Sequence, residues 1–113
     1  MHELSIVESL LTVALESGEK AQATRILKIH VVVGDLSGVV EDSVNFYFSF
    51  LSEKTIAAGA RIIFVHRPAR LRCRTCDAIF SPEKHDFHCP NCKELQVDVI
   101  GGRELYVDRL EVE

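Results

Sequence analysis

The stretch CRTCDAIFSPEKHDFHCPNC, residues 73–92, decides how the rest of the chain is read. Cys73-Arg-Thr-Cys76 and Cys89-Pro-Asn-Cys92 are separated by 12 residues, giving the pattern C-x2-C-x12-C-x2-C. Each C-x-x-C sets two thiolates at the tip of a tight turn. Two such turns brought face to face supply the tetrahedral sulfur set preferred by Zn(II), with bonds of about 2.3 Å. Cys73, Cys76, Cys89 and Cys92 would close the coordination shell and leave no position for a water nucleophile, so the zinc is expected to be structural. Metal binding at such sites is on the order of 10 kcal/mol, comparable to the whole stability of a small domain. The segment 71–97 is therefore expected to be disordered without it. His85 and His88 lie between the pairs and are open to two readings, as extra metal ligands or as solvated loop residues.

The competing reading of the cysteines is two redox pairs or two disulfides, and compartment argues against it. No apolar run approaches the roughly 18–20 residues that span a bilayer. The start MHELSIVESLL lacks the basic region and small-residue cleavage site of a secretory signal. A cytoplasmic protein is expected, and there thiols stay reduced. The 113 residues suit one core plus a metal staple and are too few for two independent cores. Charge is unevenly placed. Residues 1–65 carry 5 basic against 8 acidic groups, 66–93 carry 6 against 3, and 94–113 carry 2 against 6.

Working outward, the flanks show alternating periodicities. Ser5-Ile6-Val7-Glu8 has the form of a capping box, predicting a helix from about residue 5 to Gly18, with Val7, Leu10, Leu11, Ala14 and Leu15 on its core stripe. Met1, His2 and Glu3 would stand just outside it. Residues 25–33 alternate as a half-buried strand, with Leu27, Ile29, Val31 and Val33 inward and Lys28 and His30 outward. Glu41-Asp42-Ser43 opens a second helix carrying Val44, Tyr47, Phe48 and Leu51 on one face, closed by Gly59. Strands are expected at 61–65 and 104–112, the latter with an irregularity near Asp108-Arg109. The fold expected is α+β: a small mixed α/β layer, two helices on a three-stranded sheet, with an inserted four-cysteine zinc-ribbon-like unit. Its domains would be 1–68 with 102–113, and 69–101.

The N-terminus offers a second metal site. A bulky second residue usually protects the initiator methionine, so the free amine is expected to belong to Met1. That amine, the backbone nitrogen of His2 and the His2 imidazole can form fused chelate rings. The amide or carboxylate of Glu3 would complete a planar site rich in nitrogen and oxygen, of the kind that suits Ni(II) or Cu(II). The α-amine titrates near pH 7.7–8.0, so binding should weaken as pH falls. Chemistry alone leaves open the plainer reading, a histidine that happens to follow the start.

Three features occur in order: MHE at the start, the turn Gly34-Asp35-Leu36-Ser37-Gly38 before an acidic helix start, and the double C-x-x-C in the last third. Together they resemble the HypA/HybF family of hydrogenase nickel-incorporation proteins, from Met1 to the final strand. The resemblance implies a nickel metallochaperone and not an enzyme. It implies Ni(II) held by Met1, His2 and Glu3, which makes the α/β domain the nickel-binding one, and Zn(II) held by Cys73, Cys76, Cys89 and Cys92. It implies as partners a HypB-type GTPase and the large subunit of a [NiFe] hydrogenase, and for some members urease maturation proteins. One departure from the family pattern is that Val39 is followed by Val40, with the acids arriving at Glu41 and Asp42. The oligomeric state is open between monomer and homodimer.

Other classes fare worse. Arg67, Arg70, Arg72 and Arg74 crowd the approach to the first knuckle and suggest a zinc ribbon that contacts nucleic acid or another protein. Four thiolates with Zn(II) contribute −2, however, reducing the formal +3 of residues 66–93 to about +1, and alternate arginines suit a solvated strand face with Leu71 inward. Neither nucleic acid nor a membrane is expected as partner. The chain has no Gly-rich phosphate loop, nucleophile elbow or H-E-x-x-H, so no enzyme motif is present.

Overall fold

Eight elements follow one another in the computed structural model, which describes residues 3–83 and 86–113: α1 (Glu3–Lys20), β1 (Ile26–Gly34), α2 (Glu41–Leu51), β2 (Arg61–Arg67), β3 (Arg70–Cys73), β4 (Ile79–Phe80), β5 (Val97–Gly101) and β6 (Leu105–Val112). They form two three-stranded sheets, ordered β2-β1-β6 and β4-β3-β5. Two helices and the first sheet are the expected α/β layer, and the α+β class is observed. The second sheet was not read from the sequence. The chain divides into two compact units, Met1–Val32 with Gly38–Val65 and Leu105–Glu113, and Val33–Ser37 with His66–Glu104. The short segment Val33–Ser37 thus groups with the cysteine-bearing part.

Helix α1 already includes Glu3, so Ser5 lies inside the helix and is not its cap. An acid in the first turn and Lys20 in the last both oppose the helix dipole favourably. Val7, Leu11, Ala14 and Gly18 are buried at helical spacing. Gly18 is a packing position rather than the expected stop. A Cβ there would stand 3.2 Å from the Cδ1 atoms of both Ile26 and Ile56. The helix ends later, in a Schellman arrangement. Gln22 takes φ 56°, Ala23 N–H donates to Gly18 O at 2.9 Å and Gln22 N–H to Glu19 O at 3.0 Å.

Strand β1 is central, which changes its burial. Ile29 through Gly34 are all buried, so the expected inward-outward alternation holds only at its start, and there it is reversed. Ile26 is fully buried and Leu27 is 38% exposed. A strand covered on both faces has no solvent side, and His30 consequently lies buried, with Nε2 at 2.7 Å from Glu111 Oε2 on β6. In β6, Leu105, Val107 and Leu110 are half-buried, and the alternation slips across Asp108-Arg109.

Helix α2 buries Val44 and Phe48, with Tyr47 and Leu51 half-covered, as its stripe predicts. It ends at Leu51, well before Gly59. Ser52 N–H caps it onto Phe48 O at 3.0 Å, and a run of turns follows, with Lys54 at φ 63° and Gly59 at φ +78°. Thr55 supports this run by donating to Ser52 O at 2.6 Å and accepting from Ala57 N–H at 3.1 Å.

Candidate metal centre

Strand β3 leads into the first knuckle, and its alternation sets the direction of the first thiol. Leu71 and Cys73 are buried while Arg70 and Arg72 are exposed. The two knuckles are built alike. Asp77 N–H donates to Cys73 O at 2.9 Å and Lys93 N–H to Cys89 O at 2.8 Å, each closing a turn around one C-x-x-C. The residue after each second cysteine must then turn left-handed, and Asp77 and Lys93 take φ 62° and 67°. Incoming and outgoing chains are paired as well, Cys73 N–H to Ala78 O at 2.9 Å and Cys89 N–H to Glu94 O at 2.8 Å. Arg74 N–H reaches across to Gln96 O at 2.8 Å.

This scaffold gathers all four sulfurs. The ligand atoms of Cys73, Cys76, Cys89 and Cys92 lie within 4.8 Å of one another. The close pairs run between knuckles, Cys73 to Cys92 at 3.5 Å and Cys76 to Cys89 at 3.6 Å. A tetrahedron with bonds of about 2.3 Å has sulfur–sulfur edges of about 3.8 Å, so the set fits a thiolate-bound Zn(II). A disulfide needs about 2.05 Å, and the four thiols are free.

The thiols are also prepared electrostatically. Backbone N–H groups of Cys76 and Thr75 turn toward Cys73 and hold its pKa below the ordinary value, against the opposing effect of burial. The Asn91 side-chain amide, 3.5 Å from Cys76 Sγ, and then the Ala78 N–H lower Cys76. The N–H groups of Cys92 and Asn91 lower Cys89. Cys92 receives the Glu94 N–H, but burial and the three neighbouring sulfurs outweigh it and push the thiol up to about 12. Four thiolates at this separation repel one another, a charge that a bound divalent metal would offset.

Asn91 was not singled out in the sequence, although it is an internal residue of the second C-x-x-C. His88 stays out of the cluster. Its Nδ1 is 2.7 Å from Asp86 Oδ1, and its N–H donates to the same oxygen at 3.1 Å. That contact holds the Asp86 carboxyl below its usual range. Among the described residues the four cysteines form the sole metal-competent cluster. His85 lies outside the described residues, as do Met1 and His2. Glu3, expected outside the helix, is in the first turn of α1. First-turn amides have no partner within their helix, so this placement keeps the Glu3 N–H available.

The whole chain can now be set beside known proteins. The family model described as "Hydrogenase/urease nickel incorporation, metallochaperone, hypA" matches residues 1–112. The chain belongs to the HypA family. A hydrogenase maturation factor HypA from Dehalococcoides mccartyi (strain ATCC BAA-2266 / KCTC 15142 / 195) is 42% identical over 113 residues, covering 100% of this chain and 95% of that one. Another from Caldanaerobacter subterraneus subsp. tengcongensis is 37% identical with full coverage of both chains. The solution structure of the nickel metallochaperone HypA from Helicobacter pylori superposes with a TM-score of 0.69 at 27% identity, covering 99% of this chain and 97% of that one. A second HypA solution structure gives 0.75 at 28%, covering 100% and 97%. HypA proteins are nickel metallochaperones and not enzymes, and their role is nickel incorporation into hydrogenase or urease. No helix among the described residues of this HypA-family chain is long and apolar enough to cross a membrane.

Proposed function

We propose that this chain binds Ni(II) as cargo at its N-terminus, through the Met1 amine, the backbone nitrogen and imidazole of His2, and Glu3. It passes the ion, with a HypB-type GTPase, to the large subunit of a [NiFe] hydrogenase in the cytoplasm, and urease maturation proteins are a second class of client. Zn(II) on Cys73, Cys76, Cys89 and Cys92 serves the fold. The observation that carries the reading is the closed set of four sulfurs in a chain of nickel-incorporation type. A shell completed by thiolates leaves no open position for exchange, so a transferable nickel ion needs other ligands, few and exposed. The chelate available at Met1-His2-Glu3 has that character.

The test is a calorimetric nickel titration of zinc-loaded, tag-free protein beside His2→Ala and a version extended by a few residues before Met1. The native protein is expected to bind about one Ni(II) per chain. Both changes should abolish binding while zinc content stays unchanged. Equal binding by all three would place nickel elsewhere and overturn the reading. A fall in nickel affinity as pH drops below the α-amine range of about 7.7–8.0 is a further expected outcome, since the amine must lose its proton to bind.

A further inference from the structure

The second sheet displays a charged face that the metal chemistry does not use. In its antiparallel ladders Arg72 stands opposite Ile79 on β4 and Asp98 on β5, and Arg70 stands opposite Gly101. Residues paired across such a ladder share a face. Arg70, Arg72, Ile79 and Asp98 are therefore presented together, while Leu71 and Cys73 are buried on the reverse side. Arg74, just beyond the strand, places Nε at 3.0 Å from Asp98 Oδ1 and pairs with that acid, while the Glu104 carboxylate lies close to Gly101, opposite Arg70. Arg70 and Arg72 have no ion-pair or hydrogen-bond partner for their side chains among the described residues. Ile79, beside Arg72, is 53% exposed.

Two arginines two residues apart on a strand have Cα atoms about 7 Å from each other. An extended chain with carboxylates at alternate positions repeats that spacing, and each Arg fork can take a carboxylate through two parallel hydrogen bonds. We propose that this face of the zinc-binding unit, Arg70 and Arg72 flanked by exposed Ile79, docks an extended acidic segment of a partner protein, with carboxylates at alternate positions and an apolar residue over Ile79. Charge complementarity supports this occupant. Residues 66–93 are basic inside a chain whose formal net charge is −4. A nucleic acid fits less well. Phe80 pairs with Leu71 on the opposite side, so these four residues offer no ring for base stacking. The inference goes beyond nickel binding and does not depend on the N-terminal chelate.

The experiment measures fluorescence anisotropy of zinc-loaded full-length protein at low salt. Its probes are a labelled peptide of alternating glutamate and isoleucine, the same peptide with lysine for glutamate, and a single-stranded oligodeoxynucleotide. The glutamate peptide is expected to bind, to weaken with added salt, and to shift amides of residues 70–74, 79 and 97–101 in heteronuclear spectra. The double variant Arg70→Glu/Arg72→Glu should lose affinity by about tenfold or more, with Arg70→Gln/Arg72→Gln as the milder version if the reversal disturbs zinc content. Asp98→Asn, which frees Arg74, should bind more tightly. Failure of the glutamate peptide to bind, or binding unchanged in the double variants, overturns the proposal. Preference for the oligonucleotide over the peptide also overturns it and makes the face a nucleic-acid surface.

Discussion

A methyl group at residue 34 would have nowhere to go. A Cβ added to Gly34 would fall 2.1 Å from the Gly102 carbonyl oxygen and 2.6 Å from Glu104 Oε1. The surrounding hydrogen bonds explain the approach. Gly34 N–H donates to Glu104 O at 2.8 Å, Leu36 N–H to Gly102 O at 2.6 Å, and Gly102 N–H to the Glu104 carboxylate at 2.7 Å. Gly34→Ala must displace backbone and not a flexible side chain, so it is expected to cost about 2–3 kcal/mol in denaturant unfolding. Asp77 and Lys93 make the opposite case. Left-handed backbone costs an L-residue about 1–2 kcal/mol, whereas glycine there loses about 0.4–1 kcal/mol through its freer unfolded chain. Lys93→Gly is therefore expected to raise stability by up to about 1 kcal/mol, and Asp77→Gly by less, because aspartate tolerates this region better. Thermal midpoints of the zinc-loaded variants check both. The thiol ligands themselves were legible, because metal chemistry dictates their spacing. The left-handed turns and the Asn91 contact were not, because a knuckle built without glycine leaves no mark at that position.

At the scale of elements, β1 is where periodicity misled. Leu27, Ile29, Val31 and Val33 alternate perfectly, yet Ile29 through Gly34 are all buried, on both faces of a strand that is paired on one edge with β2 and on the other with β6. Ile29→Ala is expected to cost about 2–5 kcal/mol, and Leu27→Ala well under half as much, although pattern alone ranks them together. The His30–Glu111 contact between β1 and β6 has a pH signature. The His30 ring lowers the Glu111 pKa below its usual 4.5, helped by Lys28 and Arg109, so the unfolded chain binds the proton more readily. Its stabilising contribution is complete above the unfolded value and is lost as pH falls through the folded one. The stability difference between wild type and Glu111→Gln should shrink as pH drops below about 4.5, as read by urea unfolding at each pH. A constant difference would assign Glu111 no role through its charge. The early end of α2 is likewise a tertiary effect, since Ser52, polar and well before Gly59, is buried at 2% exposure.

For the molecule as a whole, the compact unit that holds the cysteines is larger than the cysteine segment. Val33–Ser37 belongs to the same compact unit as His66–Glu104, held by Asp35 N–H on Arg67 O at 2.9 Å and by the contacts at Gly102 and Glu104. Chelation of the zinc, worth on the order of 10 kcal/mol, is expected to release amide protection at residues 34–36 as well as 71–97. Hydrogen exchange with and without chelator checks this, and retained protection at 34–36 would confine the metal's influence to the knuckles. What the sequence by itself determined is the part governed by local rules: two helices from their apolar stripes, the three strands of the first sheet from composition and turns, and the four sulfurs from C-x-x-C spacing. Only the tertiary structure decided which strand is central, that His30 is buried against Glu111, that β3, β4 and β5 form a second sheet, and that residues 33–37 group with the zinc-binding unit. These are pairings between segments far apart in the chain, and long-range backbone hydrogen bonding leaves no periodic trace in either partner alone.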